Sequence, residues 1–143
     1  MTTTSAATTQ AADYDEIVRV VTPIRVRHSV QLYIDGFRTG NTALFEEAFH
    51  DDAWIFFTEA DGTLVKARTK DCYQVWASSP NPNVAGRIVT VTQAGEIANV
   101  LLGWDDPAEG ADSWVDLQNL IRLDGVWKIT NMTATHTSRA GGV

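Results

Sequence analysis

The sequence predicts an α+β domain, with short helices in its first half and an antiparallel sheet filling the second. Three observations predict it. Val26, Val30, Tyr33, Ile34 and Phe37 recur at steps of three and four, which is one apolar stripe on a long helix. From Arg87 onward, four segments rich in alternating residues are separated by short turn sequences. Finally, 143 residues with 44% apolar and 20% charged side chains suit one ordinary domain around one core. The order of helices first and strands afterwards separates this class from alternating βα architectures.

The elements follow in order. Residues 1–12, MTTTSAATTQAA, read as a polar N-terminal tail, with the domain over 13–136 and a second tail over 137–143. Asp13 to Val21 has helical spacing, and Thr22-Pro23 reads as an N-cap with proline at the first position of the long helix. Gly40 suits a left-handed residue at the end of that helix. Asn41 or Thr42 can then cap a short helix with Leu44, Phe45, Ala48 and Phe49 facing inward. Ala53–Thr58, the turn Ala60-Asp61-Gly62 and Thr63–Lys66 make a hairpin. A third helix is expected over Thr69–Ala77, with Cys72, Val75 and Trp76 on its apolar side, then a proline-containing loop from Ser78 to Asn83. Strands are expected at Arg87–Gln93, Glu96–Trp104, Ser113–Leu123 and Val126–Thr135.

Alternation assigns faces to these strands. Val115, Leu117, Asn119, Ile121 and Leu123 form the more apolar set, so they are expected to face the helices, with Trp114 and Asp116 outside. Trp127, Ile129, Asn131 and Thr133 are expected to share the inner face of the last strand, leaving His136 on the outer one. Phe57 should point inward and Trp54 and Phe56 outward. Polar residues that interrupt an inner apolar face mark where a ligand would be read.

Composition excludes several functions. Eleven Lys and Arg against eighteen Asp and Glu give a net charge of −7, which disfavours nucleic acid and anionic membrane surfaces. The single cysteine, Cys72, allows no intrachain disulfide or Cys-rich zinc site and reads as a small core residue. His28, His50 and His136 lack metal-ligand spacing, and there is no Gly-rich phosphate loop, so neither metal nor cofactor is expected. No apolar run is long enough to span a membrane, and no signal peptide is recognisable, so a cytoplasmic location is expected. The sequon Asn131-Met132-Thr133 is then read as a coincidence.

Several motifs, in this order, carry a family likeness: Leu32-Tyr33-Ile34-Asp35-Gly36, Thr39-Gly40-Asn41, Ala48-Phe49-His50-Asp51-Asp52-Ala53 and the closing Leu123-Asp124-Gly125-Val126-Trp127-Lys128-Ile129. Together they resemble the nuclear transport factor 2-like superfamily. Gly86-Arg87-Ile88 and Trp114-x-Asp116 add a likeness to its lumazine-binding and SnoaL-like bacterial members. The likeness spans roughly Ile24 to Thr135. It implies a cone-shaped fold, with N-terminal helices on the concave face of a curved, mainly antiparallel sheet. It also implies a homodimer joined through the convex sheet face.

That superfamily contains isomerases, cyclases and dehydratases as well as non-catalytic binding domains, so fold alone does not decide function. By the same resemblance, the oxyanion-binding Tyr of ketosteroid isomerases falls on Tyr33, their second donor on Asn119 and their general base on Phe57. The base is therefore absent, which argues against that particular activity. A Tyr hydroxyl and an Asn amide converging in an apolar cavity would still stabilise a developing oxyanion. Glu59, two residues beyond Phe57 on the same strand face, is the candidate base. Phe57, Trp76, Leu117, Asn131 and Val30 are the candidate ligand contacts.

Three readings compete. One is a cofactor-independent isomerase, cyclase or dehydratase acting on a small apolar carbonyl compound, with Tyr33 and Asn119 as donors. Another is a dimeric binding or accessory protein for a small apolar molecule. The third is a structural dimer whose cone is filled.

Overall fold

The computed structural model describes residues 24–108 and 110–137. The helix expected over Asp13–Val21, the Thr22-Pro23 cap, the N-terminal tail and all of the C-terminal tail but Thr137 lie outside the described residues. The first described helix, α1, covers 24–39. It is followed by α2 (Thr42–Ala48), β1 (Phe49–Thr58), β2 (Leu64–Arg68), α3 (Thr69–Ala77), β3 (Ala85–Ala94), β4 (Ile97–Asp106), β5 (Gly110–Leu123) and β6 (Val126–His136).

The helix signals read from the sequence operate as expected. Gly40 takes φ +72°, and its N–H closes on the Gly36 carbonyl at 2.9 Å to end α1. Asn41 caps α2 by accepting from the Ala43 N–H at 3.0 Å. Asp124 and Gly125, both at positive φ, form the tight turn between β5 and β6. On α3 Tyr73 and Trp76 face inward with Cys72 packed beside them, whereas Val75 is 71% exposed.

The six strands form one sheet in the order β2-β1-β6-β5-β4-β3. Every pairing is antiparallel except β1 with β6. The three described helices pack on its concave side, giving the curved, open α+β cone expected. The core gathers Val26, Val30 and Ile34 of α1, Phe45 and Ala48 of α2, and Val100, Leu102, Leu120, Trp127, Ile129 and Met132 of the sheet. Ser29 pins α1 to the sheet by donating to the Trp127 carbonyl at 2.8 Å.

Face assignments in β5 and β6 differ from those expected. Asp116, Gln118 and Leu120 are buried, while Leu117 is 48% exposed and Asn119 and Leu123 are exposed. The more apolar set of β5 therefore faces outward. In β6 the register shifts between the pairs Asn119↔Asn131 and Leu120↔Ile129, which makes Thr130 an extra residue. A bulge of one residue reverses every side chain beyond it. Trp127 and Ile129 stay inside, but Asn131 and Thr133 turn out, and Met132, Ala134 and His136 turn in.

One close approach holds α1 against α2. A Cβ on Gly36 would lie 2.5–2.8 Å from three atoms of the Phe45 ring. Phe45 is fully buried and wedged against Phe37, Tyr73 and Trp76 at 5.3–5.5 Å, so it has nowhere to move. Gly to Ala inside a helix ordinarily stabilises by about 1 kcal/mol. Gly36→Ala is expected to destabilise instead, by about 1–2 kcal/mol net of that gain, as read from urea unfolding midpoints.

Candidate functional site

The sheet's curvature leaves a cavity of about 340 Å³ between α1, α3 and the concave face. That is within the usual range for small-molecule sites. Its walls are largely aromatic: Tyr33 and Phe37 from α1, Trp76 from α3, Phe57 from β1, Trp104 from β4 and Trp114 from β5. These rings brace one another mostly edge to face, with Tyr33 5.5 Å from Trp104, 5.9 Å from Trp76 and 5.2 Å from Phe37.

Asp116 lies in this apolar lining and is only 2% exposed. The Trp104 indole donates to its Oδ2 at 2.9 Å, and the Tyr33 hydroxyl donates to the same oxygen at 3.2 Å. The Gln118 amide is a third hydrogen-bond partner. Burial pushes the Asp116 carboxyl up from its ordinary 3.8 to about 6, with the hydrogen bonds from Trp104, Tyr33 and Gln118 pulling the other way. Burial, and then the neighbouring Asp116 charge, hold the Tyr33 hydroxyl well above its ordinary value, so it stays protonated and remains a donor. A buried carboxyl with a pKa of about 6 beside an aromatic cavity can both take and return a proton.

Tyr33, Phe57 and Trp76 line the cavity, where the sequence placed them. The other candidates need correction. Asn119 and Asn131 are exposed on the opposite, convex face and bond to each other at 2.8 Å, with Asn99 donating to Asn119 at 3.0 Å. Leu117 is on that face too. Val30 is fully buried in the core and does not line the cavity. Glu59 is exposed and lies at a second, wider hollow beside the first, with Phe57, Asp61, Trp114 and His136. It is not the buried acid that a general base at this position would need to be.

Asp116 and Trp114, read as outward, face in; the hydrophobic pattern of β5 concealed them. His136, read as outward, reaches the hollow through the bulge at Thr130 and lies 4.9 Å from the Trp114 ring. His28 is exposed, and His50 caps the start of β1 by accepting from the Asp52 N–H at 3.0 Å. The signal that could have found Asp116 was the Trp114-x-Asp116 motif itself. Among the described residues, no group of three or more His, Cys, Asp or Glu side chains is gathered as a metal site requires. No described helix is long and apolar enough to cross a membrane.

The raised pKa makes stability depend on pH. Between about pH 4 and 6 the folded chain keeps a proton on Asp116 that the unfolded chain has released, so stability falls as pH rises through that window. Below it the stability from this group is fully present, and above it the loss is complete. Raising a carboxyl from 3.8 to about 6 corresponds to about 3 kcal/mol. Asp116→Asn removes the titration and keeps an acceptor for Trp104. The difference in unfolding free energy, variant minus wild type, is expected to grow by about 2–3 kcal/mol between pH 4 and pH 7, as measured by denaturant titration at each pH.

Comparison with known proteins agrees with the fold. A family model described as "Putative lumazine-binding" matches residues 22–133. An NTF2-like protein of unknown function from Shewanella baltica superposes with a TM-score of 0.73 at 20% identity, covering 80% of this chain and 93% of that one. Another NTF2-like protein of unknown function, from Methylobacillus flagellatus, has a TM-score of 0.73 at 26% identity, covering 82% and 94%. A ketosteroid isomerase-like protein from Erwinia carotovora atroseptica is similar at a TM-score of 0.56 and 15% identity, covering 79% and 94%. No curated protein matches the chain. The chain belongs to the lumazine-binding-like family of the nuclear transport factor 2-like superfamily.

Proposed function

We propose that the protein binds a small, largely apolar carbonyl compound in the aromatic cavity and moves a proton on it with Asp116. The observation that carries this reading is a buried carboxyl with a pKa of about 6, facing a cavity whose walls are otherwise mainly aromatic. In this reading Asp116, not Asn119 or Glu59, is the acid–base group. As a carboxylate it takes a proton from the carbon next to the carbonyl. Once it is neutral it holds the Tyr33 hydroxyl less strongly, and that hydroxyl turns to the developing oxyanion. Returning the proton at another carbon completes an isomerisation; passing it to a departing β-hydroxyl, which leaves as water, completes a dehydration. The chemistry needs no cofactor.

This is tested by following solvent deuterium incorporation into a panel of small cyclic ketones by NMR. The wild-type chain is expected to accelerate exchange, and Asp116→Asn to lose at least about 10²-fold of that rate. Tyr33→Phe is expected to lose about tenfold while ligand affinity is kept, because its donor acts in the transition state. Ketones that bind without exchanging would favour the non-catalytic binding protein. Exchange that survives Asp116→Asn would end the acid–base role of Asp116.

We also propose that a second copy of this chain covers the convex face. Ile97, Leu117, Leu123 and Val126 are large apolar side chains exposed there on three adjacent strands. The Asn99–Asn119–Asn131 row crosses the same strands and offers self-complementary amides. Two such faces would pack as aligned sheets. Leu117→Asp is expected to convert a dimer to a monomer with the cavity intact, as measured by light scattering after size exclusion. A wild-type monomer at high concentration would sink this.

A further inference from the structure

Among the described residues, the Asp and Glu side chains at the cavity and its adjoining hollow face no Lys or Arg, with His136 the one imidazole beside them. Asp116 and Asp106 line the cavity, and Glu59 and Asp61 line the adjoining hollow. Asp106 lies two residues beyond Trp104 on β4, where it accepts from the Ala108 N–H at 2.9 Å and the Asn81 amide at 3.4 Å. The groups that bond to Asp116 are an indole, a phenol and an amide, all neutral. A buried charge is normally matched by an opposite one, and the described residues supply donors here without supplying a cation. Six aromatic rings, Tyr33, Phe37, Phe57, Trp76, Trp104 and Trp114, share the same walls, and ring faces attract positive charge. A net charge of −7 adds a field that repels anions.

We infer that the molecule taken by this cavity carries a positive charge, a protonated amine or quaternary ammonium on an otherwise apolar body. This rests on the reading of the cavity as a ligand pocket, but not on the proton transfer. The aromatic rings supply contact area and cation–π attraction, and the Asp106 and Asp116 carboxylates supply the counter-charge. Anionic compounds of the same shape are rejected, because binding would bury a negative charge against Asp116 with no cation to separate them.

The test compares three probes that share a phenyl ring: benzyltrimethylammonium, its neutral carbon isostere neopentylbenzene in the same co-solvent, and phenylacetate. Trp76, Trp104 and Trp114 line the cavity, so intrinsic fluorescence of the full chain reads occupancy. Benzyltrimethylammonium is expected to bind at least tenfold more tightly than neopentylbenzene, with phenylacetate weakest. Asp106→Asn and Asp116→Asn should each narrow the gap by threefold or more. Asp106 is partly exposed, so its variant keeps the test open if Asp116→Asn folds poorly. Equal affinity for the cation and its neutral isostere, abolished by Ala134→Phe in the cavity wall, would overturn the charge preference and leave the pocket reading standing. Binding of none of the probes, or binding untouched by Ala134→Phe, would overturn both.

Discussion

The Asp116 carboxylate ties helix α1 and strand β4 to β5. Trp104 reaches it from the neighbouring strand β4, Tyr33 reaches it from helix α1, and Gln118 reaches it from its own strand. Charging this group in an apolar setting is costly, and its donors offset the cost only in part, since its pKa still rises to about 6. The helix must therefore lie at the angle and depth that bring Tyr33 to the sheet. The packing of Tyr33 against Phe37, Phe49, Trp76 and Trp104 at 5.2–5.9 Å serves the same end. Cavity shape and carboxylate environment are two results of one constraint.

The remainder of the sheet is organised to leave that place open. The deep half of the concave face is closed by Val100, Leu102, Leu120, Trp127, Ile129 and Met132. The opposite half is lined mainly by aromatic rings, with Ile55, Val84 and Ala134 and a few polar side chains, Asp116 among them, between the rings. A core filled to native density would have no room for a ligand; Asp116 lies where the cone opens, while Gln118 is fully buried behind it. Among the described residues, the side-chain carbonyl oxygen of Gln118 has no hydrogen-bond partner, which is a further local cost of keeping this polar layer inside. The bulge at Thr130 lets one strand serve both halves: Trp127 and Ile129 before it fill the core, and Ala134 after it borders the cavity.

Reading the two sheet faces as core and solvent is insufficient for this protein. The convex face carries leucine, isoleucine and valine side chains beside a row of three asparagines. The concave face carries a carboxylate and an amide among aromatic rings. Polarity is thus partly exchanged between the two faces of the sheet.

The sequence by itself determined the elements and their order, because the signals involved are local. Apolar spacing defined α1, Gly40 and Asn41 marked its end and the next start, and Asp124-Gly125 marked the last hairpin. The resemblance carried by short motifs then supplied the cone and its superfamily. Tyr33, Phe57 and Trp76 were legible as cavity residues, since each sits on a stripe or strand whose facing is set by many apolar neighbours. Asn119 and Leu117 were misplaced for the same reason that Asp116 was missed. Alternation assigns the apolar set inward, and in β5 that set lies outward. Only the tertiary structure could decide this, because alternation does not say which face of β5 the helices cover, and in β6 the extra residue Thr130 turned Asn131 outward. Whether a buried aspartate is tolerated depends on donors 12 and 83 residues away, which no local pattern encodes.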